Sequence, residues 1–252
     1  MNVILNGSLV PLEQSPCNAL GWLDGAGIFE TIKTVDGKPW ALSRHMRRAV
    51  NSAVKENIKL PSEDLVREAI ATLLDVEPHP TGLLRLSFDA NGSWAAVHLP
   101  YTEVTSAAKV GTHTVPLVNN GVPVKSYPYN HRLEILEQAR VKGFDEALVT
   151  SSEGNICEGA VTNVLLKIAG IWCTPPLSDG VLAGVVRALV IENCDVMVRS
   201  IAVSEIGDIE CGFLLSSLRI AQPIASIDGR ELSQSHDFRD EIEAMALRTS
   251  VG

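Results

Sequence analysis

Three Asx–Gly pairs constrain this chain more than any other feature. Asn6-Gly7, Asp36-Gly37 and Asp228-Gly229 each follow an apolar, β-type run. Each pair offers two successive residues that tolerate positive φ, as a two-residue β-hairpin turn requires. Residues 3–5 and 9–10 flank the first turn, and residues 28–35 and 39–42 the second. Residues 224–227 precede the third. Ala169-Gly170 is a fourth turn, between strand-like runs at 161–168 and 171–174.

Helical periods interrupt these hairpins. Residues 44–57 carry Met46, Ala49, Val50, Ala53 and Val54 at the spacing of one helix face. Ser62 is placed to cap a second helix bearing Leu65, Ala69, Ile70, Leu73 and Leu74. Residues 83–88 and 95–99 read as strands around a polar turn at 89–93, and 112–118 and 147–150 as further strands. Residues 130–142 read as a helix stopped by Gly143. Residues 185–192 form another, opening from a loop bracketed by Gly180 and Gly184, and a last helix carries Phe238, Ile242 and Met245. Between these two helices, residues 213–216 read as a strand. Hairpins mixed with helices predict an α+β fold of two mixed α/β lobes. The apolar pattern lapses over 101–109, so the expected division is an N-terminal α/β domain, 1–105, and a C-terminal α/β domain, 106–252.

Composition removes several classes of function. Twenty-one Lys and Arg against 30 Asp and Glu leave a net charge of −9, which disfavours binding to phosphate polymers or anionic membranes. Aromatic residues are only 5%, too few to interleave a basic patch with stacking rings. No apolar run reaches the roughly 20 residues that span a bilayer, and the first residues lack the pattern of a secretory leader. Five scattered cysteines, without CxxC spacing, fit reduced thiols rather than a disulfide framework. The expectation is a cytoplasmic protein with no nucleic-acid or membrane partner. The six histidines show no metal-ligand spacing, so no metal is expected. Gly25-Ala26-Gly27 precedes a strand rather than a helix, which excludes a dinucleotide fingerprint.

Local oddities remain. Lys125 lies in Val-Lys-Ser-Tyr-Pro-Tyr, between a strand candidate and a helix. Glu158 closes an otherwise apolar Ile-Cys-Glu run. Residues 181–186 form a glycine-bearing loop that opens a helix, a geometry that presents N–H groups to an anion. Taken singly, each reads more readily as structural than as functional.

Together they resemble a family. The stretches Asp24-Gly25-Ala26-Gly27-Ile28-Phe29-Glu30-Thr31, His45-Met46-Arg47-Arg48, Lys125 and Glu158-Gly159-Ala160-Val161-Thr162-Asn163 are similar to those of fold-type IV pyridoxal-phosphate enzymes. That family comprises the branched-chain and D-amino-acid aminotransferases and the 4-amino-4-deoxychorismate lyases. Lys125 precedes Asp145 by 20 positions and Asp145 precedes Glu158 by 13, as in the lyase pattern. The resemblance covers nearly the whole chain. It implies pyridoxal 5′-phosphate as cofactor, an active site between the two lobes, a small-molecule amine or amino-acid substrate and a homodimer.

The resemblance also implies roles. Lys125 would carry the cofactor and move protons, and Glu158 would face the pyridine nitrogen. Arg48, Ser217 and the backbone N–H groups of Val185 and Val186 would hold the phosphate, while Leu182 packs on the ring. Thr31 matches the lyase's proton donor, although strand preference explains a threonine there equally well. Arg219, just beyond Ser217, is the proposed substrate-carboxylate contact, with a surface salt bridge as its other reading. The activity expected first is a lyase that releases pyruvate and 4-aminobenzoate for folate synthesis. The second is an aminotransferase of branched-chain or D-amino-acid type, and the third a cofactor-binding relative without turnover. Asp89, in the loop where D-amino-acid enzymes hold a carboxylate, argues against that type. The same loop lacks the Arg- and Gly-rich character of the lyases. Asn130 stands where the branched-chain pattern has a tyrosine.

Overall fold

The computed structural model describes residues 1–116 and 122–250. Its fold is α+β, in two compact units. The first comprises residues 1–103, 124–128 and the C-terminal residues from 249; the second comprises 104–123 and 129–248. Lys125, assigned by sequence to the domain 106–252, thus stands on the first unit.

The first unit is an antiparallel sheet with two helices. Its strands run in the order Ser8–Pro11, Asn2–Leu5, Trp94–Pro100, Thr81–Asp89, Gly27–Val35 and Lys38–Pro39. The short strand Ser126–Tyr127 also pairs with Gly27–Val35. Helices α1 (Leu42–Glu56) and α2 (Glu63–Val76) contribute Met46, Ala49, Ile70 and Leu73 to a core with Ile4, Ile28, Ile32, Leu84 and Leu86. The side chain of Ser62 caps α2 by accepting from the Leu65 N–H. The two hairpin turns have paired positive φ angles, 51° and 90° at Asn6-Gly7, and 48° and 72° at Asp36-Gly37.

Two expectations for this unit need correction. The second arm of the Asp36-Gly37 hairpin shrinks to Lys38–Pro39, because α1 already begins at Leu42. The buried face of α1 is also rotated from the apolar one. Val50 and Val54 are 47% and 77% exposed, whereas His45 and Ser52 are buried. Glu30 on the neighbouring strand accounts for the burial of His45.

In the second unit, the strand order is Met197–Val198, Ile171–Thr174, Asn163–Ile168, Ile209–Ser216, Ile220–Ile227, Ala108–Val115, Glu146–Ser151, Asn155–Gly159 and Ile201–Ala202. Ala108–Val115 runs parallel to both neighbours and so joins the two parts of the sheet, which are otherwise antiparallel except where Met197–Val198 pairs parallel to Ile171–Thr174. Helix α3 (Asn130–Val141) packs on Ala108–Val115 and Glu146–Ser151. Helix α4 (Val185–Asn193) packs on Ile209–Ser216, and α5 (His236–Arg248) on Ile220–Ile227 and α4. The strand expected over 112–118 is Ala108–Val115, so it takes in part of the presumed linker. Residues 117–118 lie outside the described residues. Asn155–Gly159 is a further strand that the sequence pattern did not mark.

Candidate active site

In the first unit, Gly27–Val35 organises the candidate residues. Its side chains alternate between faces. Ile28, Glu30 and Ile32 turn toward α1; Phe29 and Thr31 turn the other way. Glu30 is 1% exposed and ionised, which demands compensation. His45 and Arg48, three residues apart on α1, supply it together. Arg48 donates from Nε to Oε1 at 2.8 Å and from Nη2 to Oε2 at 2.5 Å, and His45 Nδ1 lies 2.7 Å from Oε2. Burial alone would push the Glu30 carboxyl up, but the charge and hydrogen bonds of Arg48 and His45 outweigh it and hold it at about 2. Burial lowers His45. The ring is therefore neutral near pH 7, and beside an ionised carboxylate its proton belongs on Nδ1.

Lys125 meets the same strand from its edge. Its carbonyl accepts from the Phe29 N–H at 2.9 Å, continuing the pairing of Ser126–Tyr127 with Gly27 and Ile28. Lys125 Nζ lies 4.5 Å from the centre of the Phe29 ring, within cation–π range. Phe29 stands edge-on to Trp22, with ring centroids 4.6 Å apart. Arg85 lies over the Trp22 ring at 4.1 Å and directly opposite Thr31 in the strand register. Cross-strand partners share a face. Thr31, Phe29 and Arg85 therefore form one surface near the Lys125 amine, while Arg48 is tied to the opposite face through Glu30.

In the second unit, a β-bulge sets Glu158. Ile156 pairs with Thr150 and Glu158 with Val149, so Cys157 is the extra residue. The carboxylate, 4% exposed, accepts from three described donors: Arg132 Nη2 at 2.6 Å to Oε1, and Asn163 Nδ2 at 3.0 Å and the Leu182 N–H at 2.9 Å to Oε2. Asn163 Nδ2 also donates to the Leu182 carbonyl at 3.0 Å. Glu158 and the loop that opens α4 are thereby locked together. Gly184 caps α4 with no side-chain hydrogen bond, and a Cβ there would lie 1.8 Å from Asn163 Oδ1. The N–H groups of Val185 and Val186 begin the helix, where no intrahelical acceptor exists. Ser217 lies in the tight turn between Ile209–Ser216 and Ile220–Ile227.

Arg219 takes a different place. Its Nη1 donates to Glu146 Oε2 at 3.2 Å and to Gln222 Oε1 at 3.1 Å. Glu146 is fully buried, and its oxygens also accept from the N–H groups of Ala147 and Ala160. Within this unit, then, Arg219 joins Glu146 rather than Glu158. Sequence reading gave no role to Glu30, His45, Arg85, Arg132 or Asn163. The i, i+3 spacing of His45 and Arg48 was a usable signal, since both lie within a helical stripe. Nothing local marks Arg85 or Arg132.

The profile of the family Amino-transferase class IV matches residues 27–227. A bifunctional aminodeoxychorismate lyase / D-amino acid transaminase of Mycobacterium tuberculosis is 23% identical over 84% of this chain and 85% of its own. An aminodeoxychorismate lyase of Bacillus subtilis is 26% identical, over 69% of this chain and 66% of its own. A solved branched-chain aminotransferase of Thermoproteus uzoniensis, with norvaline, superposes with a TM-score of 0.84 at 24% identity, covering 97% of this chain and 93% of that one. The class IV family uses pyridoxal 5′-phosphate. The residues here fit that group. A buried carboxylate suits a ring N–H, and the side-chain-free start of α4 suits a phosphate. Arg132 Nη1 is, among the described residues, buried without a hydrogen-bond partner.

Proposed function

Because the chain belongs to the class IV aminotransferase family, we propose that it is a 4-amino-4-deoxychorismate lyase, releasing pyruvate and 4-aminobenzoate for folate synthesis. The observation carrying this reading is Thr31, whose side chain shares a strand face with Phe29, the ring under Lys125 Nζ. Bound pyridoxal phosphate supplies an electron sink for the substrate amine. Lys125 carries the cofactor, and its Nζ removes the ring proton of the substrate. Thr31 Oγ1 delivers a proton to the departing enolpyruvate. Glu158 holds the cofactor's ring nitrogen, Leu182 packs on the ring, and Arg48, Ser217 and the Val185 and Val186 N–H groups hold its phosphate. Arg85, beside Thr31, is a better-placed carboxylate partner than Arg219, whose guanidinium is bound to Glu146. The working protein is a cytoplasmic homodimer. Among the described residues no helix is long and apolar enough to cross a membrane.

One observation favours the second reading, an aminotransferase of D-amino-acid or branched-chain type. Asp89 Oδ1 accepts from the N–H groups of Asn91 and Ser93, both at 2.8 Å, so the carboxylate serves its own turn. The objection it raised to a substrate carboxylate is weaker for that. The two readings separate on incubation of the holoenzyme with 4-amino-4-deoxychorismate, and separately with amino-acid and keto-acid pairs. Release of pyruvate with 4-aminobenzoate is the expected outcome. Amine transfer without 4-aminobenzoate would replace the lyase by the aminotransferase.

A further inference from the structure

The Arg132–Glu158 pair carries an inference that deepens the proposed function and rests on Glu158 facing the cofactor's ring nitrogen. We propose that Arg132 is a positioning residue that sets the proton affinity of that nitrogen through Glu158. Arg132 Nη2 lies 2.6 Å from Glu158 Oε1, while Oε2 is occupied by Asn163 and the Leu182 N–H. The carboxylate is thus fixed in orientation before any ring arrives, and its charge is already shared with a permanent cation. A ring nitrogen meeting a carboxylate bound only to neutral donors would keep its proton to high pH. Beside a guanidinium, the same carboxylate presents less negative potential, and the cation opposes a second positive charge. Among the described residues Arg132 Nη1 is buried without a hydrogen-bond partner, so the guanidinium is held at this place by its bond to Glu158 rather than by a web of its own.

Other charged groups act on the same carboxylate. Arg187 lies within electrostatic range of Glu158, but its donors serve Thr174 Oγ1 and the Pro175 carbonyl. The Cys157 thiol feels both Glu158 and Arg132 as well as Asp179, and burial pushes it up to about 11, leaving it neutral. Asn163 and Leu182 contribute no charge. Arg132 is consequently the one cation hydrogen-bonded to Glu158 among the described contacts.

The test uses holoenzyme reconstituted with cofactor labelled with ¹⁵N at the ring nitrogen, whose chemical shift reports its protonation against pH. Arg132→Met should hold the ring proton to higher pH than the parent, by at least about tenfold in proton affinity. Arg132→Lys, which restores the charge, should stay close to the parent. Glu158→Gln should move the titration the other way. If Arg132→Met overlays the parent while Glu158→Gln shifts, the inference about Arg132 is overturned and Glu158 keeps its role. If Glu158→Gln also overlays the parent, the reading of Glu158 itself fails. A parent nitrogen that stays protonated wherever the protein is folded likewise overturns the inference. Arg132→Gln, which keeps a polar side chain of similar reach, replaces the methionine variant should that one fail to fold.

Discussion

Arg48 meets Glu30 edge to edge, with Nε and Nη2 on the two carboxylate oxygens at 2.8 and 2.5 Å. A bidentate pair of this kind is the strong, oriented form of the interaction. It commits one edge of the guanidinium to the protein. Glu30 thus determines how Arg48 is presented, and the neutral His45 ring adds a further hydrogen bond to the carboxylate.

This pairing has a pH signature. His45 is lowered from 6.5, so the unfolded chain takes up its proton first, and stability should fall as the pH drops below about 6.5. Glu30 is lowered from 4.5 to about 2, so its contribution is complete above pH 4.5 and disappears as the pH falls toward 2. That contribution is on the order of 3 kcal/mol. Urea denaturation at stepped pH should show Glu30→Gln less stable than the parent at pH 7, with the difference closing in acid. A constant difference across pH would mean that the glutamate matters for shape and not for charge.

Gly184→Ala should disrupt the second unit's site without a backbone penalty, since φ is −70°. The new Cβ would stand 1.8 Å from Asn163 Oδ1 and displace the side chain that binds both Glu158 and Leu182. Overpacking of this kind costs about 1–3 kcal/mol. Equilibrium dialysis should show weaker cofactor binding in this variant, and an unchanged affinity would remove Asn163 from the site.

Lys125 should be the single lysine fixed to the cofactor by borohydride, readable by peptide mapping. Lys125→Ala should yield no labelled peptide while still binding the cofactor reversibly. Label on any other lysine would break the correspondence with the family.

Thr31→Val keeps the β-branched shape and removes the hydroxyl. A lyase should lose about 10²–10⁴-fold in kcat, the usual contribution of a general acid. An aminotransferase, which shifts its proton through Lys125, should lose little. Thermal melts within a few degrees of the parent would show the fold intact. Full lyase activity in Thr31→Val would exclude the hydroxyl as donor.

Arg85→Leu should raise KM for acidic substrates with a smaller change in kcat, because a carboxylate contact made before and during reaction is uniform binding. Loss of one charge-assisted contact corresponds to about 1.5–3 kcal/mol, or roughly 10- to 100-fold. If Arg219→Leu gave that effect instead, Arg219 would be the acid contact despite its bond to Glu146.

The sequence by itself determined the turns, most helix limits and the family. Asn6-Gly7 and Asp36-Gly37 turn where their φ preference requires, and Ser62 and Gly143 bound their helices, because these are local properties of a few adjacent residues. Motif and spacing also singled out Lys125 and Glu158. Their environments came only from tertiary structure. The bulge at Cys157 sets the pairing of Glu158, and a one-residue register shift turns a side chain to the opposite face. Arg85 faces Thr31 only because two strands more than 50 residues apart pair in one register. Helix α1 shows the same limit. Hydrophobic periodicity favoured Val50 and Val54 as buried, yet the buried charge of Glu30 draws His45 and Arg48 inward. An ionised carboxylate without those partners would cost more than the apolar burial that two valines return.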